Sequence, residues 1–599
     1  MNDGLSGSRG LAGCAVLKPQ TAASSSDNSC MLLSLLTAFA PAAPAPPLRM
    51  VGAGRIIRKS TALPKTAEII AHALYEEGVR YAFGIPGGEV LELLEAFRKT
   101  GIKFILTKHE MGAGIMAEAS YQLTGRPGVL VATLGPGIAN TVTAVAQASL
   151  DRSALIVITG EVAANLKPIY THQLFDQESL LRPLVKWTTT VAPANAFEQV
   201  RKGLAIARAP MPGPVHFNLP TDIAAAEQAD ARRFSPAVVR TLPRRDDRTA
   251  IEVWLKKAKR PLALVGLGVQ IDNAERELKR FLEAWRIPLI TTYKAKGVVA
   301  EDHALSVGAT GLSPVVDKIH MAHVREADLI LTIGFDPVEL RADWIAPWDE
   351  KKATVNIDLL PNTHHVYRST FEYAGSIAGC LQTLTQAAPK RTPSRWLDAD
   401  LDRYRRTIMH AIECTPAKGM GPYQVACALR EVFPRDTIAT IDTGSHRILI
   451  NHVWKSYEAR RLLQSNGLGT MGYALPSAIA ASLLFPKRPV LAMMGEAGLD
   501  MVIGEMALLA QHKLALTIVV FRDDTLSLIK LKQQRMKLPE TGVSTGSPDY
   551  VMLAEAYGGN GFVVNNVAEL KKVARVALNS KRFTLIEARI NPLEYQSQM

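Results

Sequence analysis

Two acids stand immediately after apolar, strand-like runs in the last third of the chain. Pro489–Met494 leads into Gly495-Glu496-Ala497-Gly498, and Leu516–Phe521 leads into Arg522-Asp523-Asp524. The acids Glu496 and Asp523 are 27 positions apart, room for one helix between two parallel strands. Such a crossover places two carboxylates at neighbouring strand ends, where hard oxygen ligands can hold Mg²⁺ and bridge it to a phosphate. Gly495 and Gly498 would let the backbone approach that anion. An isolated loop acid is more often solvated than metal-bound, so the reading depends on company. Four other turns provide it. Thr107-Lys108-His109-Glu110 follows apolar Phe104–Leu106, and Gly135-Pro136-Gly137-Ile138-Ala139-Asn140 follows another strand. Asp442-Thr443-Gly444-Ser445-His446 and the run from Gly467 to Pro476 come later.

The elements that must position these turns belong to an α/β chain. Short β-rich runs alternate with amphipathic segments from Thr66 onward, the pattern of mostly parallel sheets covered by helices. Thr66 is expected to cap a helix whose Ile69, Ile70, Ala73 and Leu74 share a face. Strands are expected at Gly128–Leu134, Ala154–Thr159, Leu262–Val265, Leu329–Ile333, Thr354–Ile357 and Thr437–Ile441. Three doubly wound units result: 61–230, 245–390 after a polar linker at Thr241–Arg248, and 415–599. Residues 1–60, rich in Ala, Ser, Gly and Pro, read as a disordered leader or an over-extended start; an organelle transit peptide is the alternative.

With 599 residues the chain is several domains long, and 47% hydrophobic with 21% charged residues is ordinary globular usage. A formal charge of +13 favours anionic ligands, but the basic residues are scattered, which argues against nucleic acid. Met31–Ala40 is too short to span a bilayer. Five cysteines without a C-x-x-C pair encode neither a zinc site nor a disulfide framework and fit a reducing, cytoplasmic setting.

Taken in order and with their spacing, these motifs resemble the thiamine-diphosphate-dependent enzymes of the acetolactate synthase and 2-oxo acid decarboxylase superfamily, from about Thr66 to the C-terminus. Tyr170-Thr171-His172-Gln173, Gly334 to Glu339 and Asn356 to Pro361, together with Asp523 itself, look nearest to the catabolic, flavin-independent acetolactate synthases. The resemblance implies pyrimidine-binding, central and diphosphate-binding domains. It implies that Glu110 exchanges a proton with the cofactor's aminopyrimidine ring, that Met471 bends the cofactor from below, and that Gln173 lies on the substrate side. The Gly469 carbonyl would accept from the 4′-amino group. Gly444, Ser445, His446, Gly495, Ala497 and Gly498 would line the diphosphate, with Glu496, Asp523 and the Thr525 carbonyl as Mg²⁺ ligands.

The implied activity is decarboxylation of a pyruvate-like 2-oxo acid with carboligation to a second carbonyl, in a homodimer or homotetramer. Open alternatives are a decarboxylase or aldehyde lyase with the same cofactor, or a catalytically impaired cofactor-binding homologue. The last is suggested by Gly495-Glu496-Ala497 standing where relatives have Gly-Asp-Gly. The resemblance disfavours FAD, since flavin-using relatives carry an arginine near Phe335 and a longer C-terminal lid.

Overall fold

A computed structural model describes residues 63–228, 241–390, 394, 396–414, 416, 418–546 and 548–598. The expectation for residues 1–60 therefore lies outside the described residues. The described chain holds three six-stranded sheets, parallel throughout, each covered by helices.

The first sheet contains β1 (Tyr81–Ile85), β2 (Lys103–Leu106), β3 (Gly128–Ala132), β4 (Leu155–Glu161), β5 (Trp187–Thr190) and β6 (Val215–Pro220) in the order β2-β1-β3-β4-β6-β5. In the central sheet, β7 (Pro261–Val265), β8 (Leu289–Thr292), β9 (Ser306–Thr310), β10 (Leu329–Ile333), β11 (Ala353–Asp358) and β12 (Phe371–Ala374) run β12-β11-β10-β7-β8-β9. The third sheet, β13 (Ile438–Ile441), β14 (Leu462–Gln464), β15 (Val490–Gly495), β16 (Thr517–Arg522), β17 (Asn560–Val564) and β18 (Thr584–Arg589), has the order β14-β13-β15-β16-β18-β17. Every residue of β3, β4, β7 and β10 is buried, as expected of strands covered on both faces.

Two local expectations are corrected. Thr66 is the first residue of the helix Thr66–Glu76, not its cap; its hydroxyl donates to the Ala226 carbonyl at 3.2 Å, while Glu68 reaches back to the Lys65 amide. The expected linker is partly helix, because Arg245–Lys257 buries Ile251 and Leu255 on one face and leaves its Arg and Asp residues outside. Polar composition there marks an amphipathic surface.

The first and third domains meet through two helices, Glu110–Thr124 and Ala474–Leu484, which pack along each other. Small residues are buried on both, including Ala113, Ala117, Ala478 and Ala481, while Gly112 gives room to Glu505 and Gly114 to Ala144. The helix Ala474–Leu484 is apolar almost all round, as a helix enclosed by its neighbours should be.

Candidate cofactor site

The third sheet gathers its functional side chains at the carboxyl ends of β13, β15 and β16, where parallel strands present their ligands. Met494 pairs with Val520 and Gly495 with Phe521, so Glu496 and Asp523 leave the sheet side by side. The Thr525 amide donates to both, at 3.0 Å to Glu496 Oε1 and 3.3 Å to Asp523 Oδ1. Ser527 adds its hydroxyl to Asp523, and Thr545 reaches Glu496 at 3.3 Å. Burial, and then the neighbouring Asp523 carboxylate, push Glu496 up to about 8; burial raises Asp523 as well. Neither acid has a cationic partner among the described residues. A buried and a half-buried carboxylate with nothing to balance them either share a proton or surround a cation. The Thr525 carbonyl already accepts the Ser527 amide at 2.9 Å.

Beside this pair, β13 is followed directly by Asp442, and the helix Ser445–Val453 starts three residues later. Ser445 Oγ, His446 Nε2 and Thr443 Oγ1 are buried with no hydrogen-bond partner among the described residues. Burial drives the His446 imidazole down to about 3, so it is neutral at pH 7. Its ring stacks on Phe521 and lies over Gly444, where a Cβ would come within 2.6 Å of it. Unsatisfied donors at a helix N-terminus beside two carboxylates suit a diphosphate bridged by a divalent cation. The donor set fits that pair of ligands.

Asp442 has a second duty. Its carboxylate accepts from the Thr443 amide (2.7 Å), the Gly472 amide (3.0 Å) and the Ala474 amide (3.3 Å), while Gly498 packs against it. The loop bearing Gly469 and Met471 is thereby tied to the end of β13. Gly469 has φ +68° and open space where a side chain would stand, leaving its backbone accessible.

Glu110 and Gln173 belong to the first sheet. Glu110 opens the helix Glu110–Thr124; it is buried, and its carboxylate accepts from Asn140 Nδ2 at 3.0 Å. His109 caps that helix by accepting the Met111 amide. Gln173 is exposed, has φ +58° and covers Gly135, where a Cβ would lie 2.7 Å from the Gln173 side chain. Neither Glu110 nor Gln173 hydrogen-bonds to the third-domain set. The link between the groups is Glu505, which accepts the amides of Lys108 and His109 at 3.0–3.2 Å; burial raises it to about 7. Asp442 and Glu505 have no assigned role in the sequence reading. Asp442 could have been found there, as an acid closing a strand before a glycine turn; Glu505 offered no local signal.

Comparison with known proteins gives this geometry its class. The models for the N-terminal TPP binding domain, the central domain and the C-terminal TPP binding domain of thiamine pyrophosphate enzymes match residues 64–180, 249–384 and 442–588. The chain belongs to the thiamine pyrophosphate enzyme family. Its relatives include a probable acetolactate synthase large subunit of Methanocaldococcus jannaschii, 31% identical, with 88% of this chain and 92% of the relative covered. The acetolactate synthase of Bacillus subtilis is 28% identical over 90% and 95%, and the catabolic acetolactate synthase of Raoultella terrigena 29% over 86% and 92%. No helix among the described residues is long and apolar enough to cross a membrane.

Proposed function

We propose that this chain is an Mg²⁺-assisted carboligase of the acetolactate synthase type: it releases CO₂ from a pyruvate-like 2-oxo acid and joins the remaining acyl unit to a second carbonyl. The observation that supports it best is the uncompensated Glu496–Asp523 pair beside the unpartnered Ser445 and His446. Bound thiamine diphosphate supplies a carbon nucleophile and a sink for the electrons left by CO₂.

This chain's residues do the rest. Ser445 and His446, with the glycine turns at Gly444, Gly495-Glu496-Ala497 and Gly498, hold the diphosphate. Glu496 and Asp523 hold Mg²⁺; the Thr525 carbonyl would join them only by adding to its bond with Ser527. Glu110, oriented by Asn140, moves the proton of the aminopyrimidine. Met471 and the Gly469 carbonyl support the rings, and Gln173 orients the substrate.

The glycine turn of the central domain packs against Gly334 on one side, and on the other it lines a cavity together with Asp336, Asn356 and Asp358. The Gly268 amide donates to the Gly334 carbonyl at 2.9 Å, and a Cβ on Gly268 would lie 2.5 Å from Gly334 Cα. A homodimer or homotetramer is part of the proposal: the segment after β4 exposes Leu166, Ile169, Tyr170 and Phe175, an apolar face that a second copy would cover. So is a cytoplasmic setting, in keeping with the free thiols Cys380, Cys414 and Cys427.

The test is product analysis after incubation with a panel of 2-oxo acids, thiamine diphosphate and Mg²⁺. Products with two acyl units and one CO₂ released are expected. An aldehyde as sole product would favour the decarboxylase or lyase reading, and cofactor binding without turnover the impaired homologue. For the assembly, Glu110→Gln and Asp523→Ala chains mixed and reassembled should regain part of the activity; exchange without recovery would argue against a shared site.

A further inference from the structure

The run Gln464–Tyr473, which carries Gly469 and Met471, is suspended from the other two domains. The first domain grips it at both ends. Gln147 Oε1 accepts the Ser465 hydroxyl at 2.5 Å, and Asp151 accepts the Gly467 amide at 2.6 Å and the Asn466 amide at 3.2 Å. At the far end Glu118 accepts the Tyr473 hydroxyl at 2.8 Å. Gly467 is needed for so close an approach, since a Cβ there would lie 2.6 Å from Leu150 Cβ. Ser465 Oγ then accepts the Thr470 amide at 2.8 Å, closing the turn just before Met471.

The central domain contributes Lys294. Its ammonium lies 3.0 Å from Asp151 Oδ2 and donates to the Gln464 carbonyl at 3.2 Å. Only 6% of the Lys294 side chain and none of the Asp151 side chain is exposed. Gln270 holds the Lys294 backbone by donating to its carbonyl at 2.8 Å. A buried ion pair is a poor way to gain stability, because desolvation consumes most of the attraction; what it does well is define one geometry. Here the geometry is the height of a loop two residues from a cofactor contact.

We propose that Asp151 is a positioning residue for the cofactor loop, and that Lys294 brings the central domain, which supplies none of the cofactor residues named above, into control of that loop. This rests on the reading of Gly469 and Met471 as cofactor contacts. The experiment compares thiamine diphosphate affinity in Mg²⁺, by titration calorimetry on the full chain, far below the unfolding midpoint of every variant. A purely structural defect then leaves affinity untouched.

Asp151→Asn is expected to bind about tenfold more weakly or worse, and Lys294→Met several-fold more weakly. The double variant, which removes the unpaired buried charge, should regain thermal stability without regaining affinity. Wild-type affinity in Asp151→Asn, or recovery of affinity along with stability in the double variant, overturns the proposal. If Asp151→Asn does not fold, Lys294→Met decides alone, and unchanged affinity there overturns it. Met471→Ala separates the two readings: wild-type affinity in that variant would remove the loop's cofactor role itself, whatever Asp151 does.

Discussion

The first and third sheets have the same strand order, β2-β1-β3-β4-β6-β5 against β14-β13-β15-β16-β18-β17, yet their strand ends are charged differently. β4 ends in Glu161 and its counterpart β16 is followed by Asp523. Glu161 is neutralised within its domain: Lys167 lies 2.9 Å away, and Asn218 and the Val162 amide donate to it. Asp523 faces Glu496 instead, because the turn after β15 reads Gly495-Glu496-Ala497 where the turn after β3 reads Gly135-Pro136-Gly137. Topology therefore decides where side chains converge. Charge balance decides which convergence needs a ligand.

The largest effect expected from breaking this contrast is at Glu110. Glu110→Gln should lower turnover by about 100-fold or more while cofactor affinity stays within a few-fold, as steady-state rates and calorimetry would show. Near-normal turnover would mean that the acid of the first sheet does no proton work. Next comes Glu496→Ala, which should weaken thiamine diphosphate binding in Mg²⁺ by at least the roughly 10–100-fold that disturbed metal surroundings cost. Glu496→Asp should keep metal dependence, and a wild-type affinity indifferent to chelator would contradict the cation reading.

A third expectation concerns pH. Glu496 titrates higher in the folded chain than in the unfolded one, so the native state holds the extra proton and is favoured at low pH. That contribution is complete below the ordinary carboxylate range and is lost as pH rises through about 8. Thermal midpoints in chelator should fall over this interval, and saturating Mg²⁺ should flatten the slope; a rise would refute the shared-proton picture. The smallest effect is in the first sheet. Burial raises Glu161, but Lys167, Gln177 and Asn218 bring it below its ordinary value, so its contribution is present above the carboxylate range and lost as pH falls. Because Lys167 is half exposed, Lys167→Met should cost only about 1 kcal/mol near neutrality and less in acid, as denaturant titrations at two pH values would measure.

The placement of the candidate residues was legible in the sequence wherever its logic is local to a strand end. The 27-position interval between Glu496 and Asp523 spans one strand-to-strand crossover, and the structure places both acids just beyond the ends of adjacent strands, with the Thr525 amide bonded to both. Strands such as Leu329–Ile333 could be seen because strands buried on both faces are continuous apolar runs. What remained hidden is long-range. Glu505 holds amides almost 400 positions away, and Asp151 meets Lys294, Asn466 and Gly467 only after three domains have closed on one another. The Thr66 hydroxyl failed as a cap for the same reason: Ala226, 160 positions on, claims it.

The seam between Glu110–Thr124 and Ala474–Leu484 also sets a timetable for synthesis. Roughly 350 residues separate the two helices, so at about 5–20 residues per second a ribosome needs on the order of 20–70 s to deliver the second after the first. Throughout that interval the face of the first helix that meets Ala474–Leu484 lacks its partner, while its other faces can pack on β1, β3 and the helix Pro136–Leu150. Nine consecutive residues of the second, Ala474 to Ser482, are buried in the finished fold, between the first helix and the strands β13 and β15 of its own domain. That face of the first helix therefore stays uncovered until the last third of the chain emerges, the stage at which transiently exposed apolar surface is open to wrong partners.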